Sequence, residues 1–194
     1  MPEKKRFLAL LGSPRPQGNV AAMLKAACES AEAAGYQVER FDLYKLHIAP
    51  CTGCMACKAA GGCVVADDII PLREALIGCD VVALAAPTYF ANIPGPVKTV
   101  LDRLVGTVMD DNLSPLPKGK LRGEQRYLLL TACNTPAPFH RLAGQATGAF
   151  RAMEEVFHIS GMKRFKKVCY PGTRKRPSGE LPLKLQKKLL GLFT

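Results

Sequence analysis

Three apolar runs, RFLALL from Arg6, DVVALAA from Asp80 and RYLLLTA from Arg126, are each followed by a Gly/Pro-punctuated loop and then by a stretch with helical periodicity. Short runs that are apolar throughout are the mark of strands buried on both faces, and such strands belong to parallel sheets. Tyr36 to Leu43 (YQVERFDL) alternates Tyr36, Val38 and Phe41 with polar residues, as a second strand nearer an edge does, and a fifth strand is expected near Arg164 to Tyr170. Apolar spacing predicts a helix from Asn19 to about Ala34, stopped by Gly35, and a short one capped by Asp67 or Asp68 and ending near Gly78. Further helices are predicted over Pro96 to Val108, Leu142 to His158 and Leu181 to Leu192. Five strands alternating with five helices argue for a parallel sheet covered on both faces by right-handed crossovers. In such sheets ligands bind outside the carboxyl ends of the strands, so functional residues are expected in the loops after strands one, three and four.

A chain of 194 residues is expected to form a single domain over 1–194, with a cysteine-rich loop at 50–64 inserted after strand two and a basic tail and helix at 171–194. Its apolar runs fall well short of the roughly 18 to 20 residues of a membrane span. The start, MPEKKRFLALLGSPR, lacks a secretory h-region and cleavage site. A cytoplasmic location is therefore expected. The formal charge of +11 gathers late, in KGKLRGEQR, KRFKK, RKR and KLQKK. It is read as solubility plus attraction of an anionic cofactor, since a nucleic-acid module would leave the loops described next unexplained.

Four of the eight cysteines lie within thirteen residues, Cys51-x2-Cys54-x2-Cys57-x5-Cys63. A reducing compartment disfavours structural disulfides. Zinc prefers two separated two-ligand knuckles, and this run has no second knuckle and no nearby histidine except His47. Successive x2 spacings with a fourth cysteine close behind are how ferredoxin-type loops surround a cubane, so the order fits four ligands of a [4Fe-4S] cluster. Gly53, Gly61 and Gly62 supply the backbone freedom for such a wrap. Zinc stands second, and a loop that carries no cluster is a further alternative. Cys28, Cys79 and Cys169 read as small core residues, Cys133 stands at the binding edge, and His140 is expected at the surface.

After strand one, GSPRPQGNV runs straight into a helix amino terminus, where free amides and the helix dipole favour an anion. Gly12 and Gly18 permit tight backbone, Ser13 and Asn19 offer hydrogen bonds, and Arg15 adds charge. The loop is neither a Walker loop nor a GxGxxG fingerprint. After strand three, PTYFANIPGP places Tyr89 and Phe90 where they can flank a flat ring, with the backbone of Thr88 to Asn92 at its edge. A phosphate seat beside a ring seat describes a mononucleotide site.

GSPRPQGNV resembles the phosphate loop, and PTYFANIPGPVKTVLDR the isoalloxazine loop and following helix, of the flavodoxin-like NADPH-dependent FMN reductase family; the four-cysteine insert resembles that of its iron-sulfur flavoproteins. The likeness runs from Phe7 to about Tyr170. It implies a three-layer α/β/α sandwich with strand order 2-1-3-4-5. It implies FMN, with Ser13, Arg15, Gly18, Asn19 and Val20 at the phosphate and Pro87, Thr88, Tyr89, Phe90 and Asn92 around the ring. Val20 departs from the threonine or serine usual in the family. The expected function is an oxidoreductase that moves electrons from a two-electron donor such as NAD(P)H through FMN and a [4Fe-4S] cluster on Cys51, Cys54, Cys57 and Cys63, with the flavin rather than a side chain as reactive centre. A homodimer or homotetramer, a small redox substrate and a redox protein partner are implied; nucleic acid and membrane are not. Cluster-free reductases and non-enzymatic carriers are the rival readings.

Overall fold

The computed structural model describes residues 4–110, 117–176 and 178–193. Five strands form one parallel sheet: β1 (Arg6–Leu11), β2 (Gln37–Asp42), β3 (Val81–Pro87), β4 (Arg126–Cys133) and β5 (Lys163–Pro171). Their order is β2-β1-β3-β4-β5, as expected, so the winding direction reverses between β1 and β3. The register aligns Leu11 with Asp42 and Ala85, Pro87 with Ala132, and Cys133 with Pro171, which brings the carboxyl ends of all five strands to one edge.

The side-chain period of two sorts each central strand between two cores. Phe7, Ala9 and Leu11 of β1 face the same side as Val81, Ala83 and Ala85, where α1 (Asn19–Ala33) and the carboxyl-terminal α5 (Leu183–Leu190) cover them. Leu8, Leu10, Val82 and Leu84 face α2 (Ile69–Gly78), α3 (Gly95–Arg103) and α4 (Gln145–Ile159). The exposed faces of β2 follow from its edge position. Gly12 is required where the chain leaves β1: its amide reaches the Ala85 carbonyl at 2.7 Å, and a Cβ there would fall 2.3 Å from Val97.

Three elements depart from expectation. The helix predicted over Pro96 to Val108 is broken at Leu104, with a separate turn at Val105–Val108, and Arg103 at the end of α3 reaches the cysteine insert. The helix predicted from Leu142 starts at Gln145, after a short turn Phe139–Leu142 and a left-handed Gly144. Pro182 and Gly191 trim the last helix to Leu183–Leu190. His140, expected at the surface, is 5% exposed. Among the described residues no helix is long and apolar enough to cross a membrane.

Candidate functional site

The amino terminus of α1 opens onto a cleft of about 220 Å³ at the carboxyl edge of the sheet. No side chain caps this helix and no acidic residue sits in its first turn, so its leading amides and dipole face the cleft uncompensated. Ser13 supports the loop by accepting the Arg15 amide at 3.2 Å, and Gly18 donates to the Arg15 carbonyl at 3.1 Å. A Cβ on Gly18 would press to 3.1 Å from the Arg15 Cβ, which accounts for the glycine. An uncapped helix start with a serine and an arginine beside it fits a phosphate.

Ser13, Arg15, Gly18, Asn19, Val20, Pro87, Thr88 and Tyr89 all line this cleft; Phe90 and Asn92 do not. The turn after β3 explains the difference. Tyr89 and Asn92 exchange two backbone hydrogen bonds of 2.9 Å, and Phe90 and Ala91 between them take left-handed φ of 50° and 58°. Neither is glycine, so the turn is strained, at a cost of order 1–3 kcal/mol per residue. It projects Phe90 wholly into solvent. The Asn92 side chain accepts the Ile93 amide at 2.8 Å. The Thr88 amide is spent on Ala132, so of this stretch the amides of Phe90 and Ala91 are the ones left for a ligand. Gly148 of α4 holds the turn from behind: a Cβ there would stand 2.0 Å from the Ala91 carbonyl oxygen.

The cleft also takes residues from outside both motifs, namely Ala132, Cys133, Asn134, Thr173 and Ser178. Of these, Cys133 and Asn134 stand in the loop after the fourth predicted strand, where ligand contacts are expected, whereas Thr173 and Ser178 carry no such signal. The Cys133 sulfur lies 4.0 Å from that of Cys169 on the neighbouring strand. The contact with Cys169 outweighs burial and lowers the Cys133 thiol from its ordinary range, while the same contact, with burial, pushes Cys169 up.

The cysteine insert lies at the far end of α3 from the aromatic turn. Cys51, Cys54, Cys57 and Cys63 all line one cavity of about 200 Å³, closed by Val64, Val65, Arg103 and Val105. All four are free thiols, yet among the described residues no three Cys, His, Asp or Glu side chains gather closely enough to hold a metal ion. Gly53, Met55 and Gly61 take left-handed backbone and bend the loop around the cavity. The short helix Cys57–Ala60 packs so tightly on Val105–Val108 that a Cβ at Gly106 would stand 2.6 Å from the Cβ of Cys57.

Arg103 ties this insert down. It is 3% exposed and donates five hydrogen bonds: to Cys63 Sγ at 3.0 Å, to the carbonyls of Ala49 at 2.6 Å and Val65 at 3.0 Å, and to the two Asp67 carboxylate oxygens at 2.8 and 3.1 Å. Of Asp67 and Asp68, one of which was expected to cap α2, Asp68 holds the N-cap position but makes no side-chain cap bond, and both serve the insert: Asp67 accepts the amides of Ile69 and Ala49, and Asp68 that of His47. Burial opposes the Asp67 charge, but the Arg103 guanidinium and the two amides outweigh it and hold the carboxyl below its usual range.

Comparison with known proteins agrees with this architecture. The chain is 40% identical over 100 residues to an iron-sulfur flavoprotein of Archaeoglobus fulgidus, covering 52% of this chain and 46% of that one; it spans about half the length of the curated relatives it matches first. Among solved structures, an NAD(P)H:quinone oxidoreductase from Methanothermobacter marburgensis superposes with a TM-score of 0.73 at 15% identity, over 97% of this chain and 92% of that one. An azoreductase from Bacillus anthracis gives 0.70 at 18% identity, over 97% and 95%. These two share the fold. The sequence profile of one family matches residues 6–123, taking in the β1 loop, the cysteine insert, the aromatic turn and α3. By that match over most of its length, the chain belongs to the NADPH-dependent FMN reductase family.

Proposed function

We propose that the chain binds FMN in the cleft between α1 and the turn after β3, and transfers electrons from NADH or NADPH to a small acceptor. The observation that carries this reading is the uncapped start of α1 opening onto a cleft whose other wall is the aromatic turn. When bound, FMN supplies the chemistry, accepting two electrons as hydride and passing them on singly or together.

The protein's part is to bind and orient. Ser13, Arg15 and the first amides of α1 seat the phosphate, with Gly18 letting the backbone approach and Asn19 and Val20 forming the floor. Pro87, Thr88 and Tyr89 face the ring, and the Thr88 hydroxyl is fixed by a 3.0 Å contact with that of Thr131. This reading assigns the amides of Phe90 and Ala91, unpaired within the turn, to the ring's polar edge. Phe90 and Asn92 shape this turn rather than line the cleft. The exposed rings of Tyr89, Phe90 and Phe139 at this edge suit burial against a second copy in a homodimer or homotetramer.

Cys51, Cys54, Cys57 and Cys63 are the proposed holders of a [4Fe-4S] cluster. Their donor chemistry fits: four thiols on a glycine-bent loop face one cavity, and a guanidinium N–H already meets one sulfur. A loaded loop would draw the thiols closer than they stand here. The nine residues of α3 rise about 13 Å, so this cavity and the aromatic turn lie one helix length apart within a chain. A redox partner protein and a cytoplasmic location belong to the same reading. The separation of the four thiols favours a second reading, a cluster-free flavin reductase.

Anaerobic purification with iron, sulfide and absorption measurements, repeated on Cys54→Ser, separates the two. Loss of a broad visible band in the variant with flavin peaks retained supports the cluster; identical spectra with little iron leave the cluster-free reductase.

A further inference from the structure

The chain beyond β5 lies outside the residues matched by the family profile, and nothing in the motifs anticipates a role for it. In the structure it doubles back along α1 and is fastened at three places. Near β5, the Gly172 amide donates to the Thr135 carbonyl at 3.0 Å, and the Thr173 hydroxyl lies 3.2 Å from the Cys133 carbonyl and 3.1 Å from Asn134 Oδ1. At the first turn of α1, the Gly179 amide donates to Asn19 Oδ1 at 2.8 Å. At its far end, Ser30 Oγ accepts the amides of Leu192 and Phe193 at 3.1 and 3.3 Å, while Leu189 and Leu192 are buried and Phe193 stacks on Phe165, tilts against Tyr36 and meets Phe7 edge to face.

Between the first two fastenings, Thr173 and Ser178 line the same cleft as Ser13 and Arg15. We infer that Thr173 and Ser178 form the outer wall of the phosphate seat, with Ser178 as a further phosphate donor and Gly179 as the residue that orients Asn19. The inference rests on the reading of the cleft as an FMN site.

The chemistry of the contacts assigns the roles. A backbone N–H can only donate, so the Asn19 atom facing Gly179 is its carbonyl oxygen, and its NH₂, a pure donor, is left for the cleft. A phosphate dianion offers acceptors alone and needs such donors. The Thr173 hydroxyl proton is engaged by neighbouring oxygens, whereas the Ser178 hydroxyl has no partner among the described residues. Gly179 cannot be replaced without moving the wall: its φ is +87°, and a Cβ would stand 2.4 Å from the Gln17 carbonyl oxygen.

The test compares FMN with riboflavin, which lacks the phosphate, by flavin-fluorescence titration of the full chain. For the wild type, FMN should bind much more tightly than riboflavin. Ser178→Ala, a change at an exposed position that the fold does not need, should raise the FMN Kd about tenfold by removing one hydrogen bond to a charged group. Gly179→Ala should raise it at least as much. Riboflavin affinity should stay within about twofold in both variants. Equal losses for the two flavins, or an unchanged FMN Kd, would overturn the inference while leaving the FMN site standing. A wild type that binds both flavins equally would instead remove the phosphate seat itself, and this wall with it.

Discussion

Replacing Arg103 by methionine should release the cysteine insert while leaving the sheet in place. The guanidinium's partners lie 36 to 54 residues away in sequence, at both ends of the insert, so one side chain closes the loop from Ala49 to Asp67. The Arg103 side chain is 1% exposed and that of Asp67 15%. Breaking a buried ion pair by removing one partner costs about 3–5 kcal/mol; because Asp67 can regain some water, the lower end, about 3 kcal/mol, applies. Methionine fills most of the volume without donating, so the loss is of hydrogen bonds rather than packing. Lys58 is the only lysine or arginine between Pro50 and Ala66, which makes tryptic cleavage there a reporter of loop opening. Where cleavage follows the opening equilibrium, about 3 kcal/mol corresponds to a rise on the order of a hundredfold. Arg103→Lys keeps the charge but not the fork, and should fall between. Cleavage of the methionine variant within about fivefold of wild type would refute the staple.

Further outcomes follow from other contacts. Gly148→Ala should displace the Tyr89–Asn92 turn from behind, costing about 1–3 kcal/mol by overpacking and weakening FMN and riboflavin alike in the same titration, unlike changes at the phosphate end. Because the folded Asp67 carboxyl is held below its unfolded range, its pairing stabilises at and above the ordinary carboxylate range near pH 4, and is lost as pH falls through the lowered value. Urea midpoints should therefore drop on acidification, and drop less in Asp67→Asn. Iodoacetamide with mass spectrometry should label Cys133 at lower pH than Cys169, FMN should protect Cys133, and Cys169→Ala should move Cys133 reactivity to higher pH.

The sheet was legible because its central strands are buried on both faces: Leu8 to Leu11 and Val81 to Ala86 leave no polar residue to obscure the pattern. The cleft-lining loop after β1 was legible because a local signal, glycines before a helix, encodes it. What escaped detection depends on contacts distant in sequence. Leu104 and Val105 continue the apolar stripe of α3, so periodicity carries the helix past its end at Arg103, and the role of Arg103 itself rests on partners more than thirty residues earlier. Gly179 meets Asn19 across 160 residues, and no periodicity reports such a pairing. Phe90 looked like a wall of the ring site because it is aromatic and stands at the binding edge; its left-handed backbone, unusual for a side chain of that size, turns it outward.

The reading of the cleft stands or falls on flavin content. Protein purified without oxygen and supplied with FMN should hold about one FMN per chain, and its flavin absorption should bleach on adding NADPH or NADH. A chain that retains no FMN, or whose bound flavin neither nicotinamide reduces, would contradict the account.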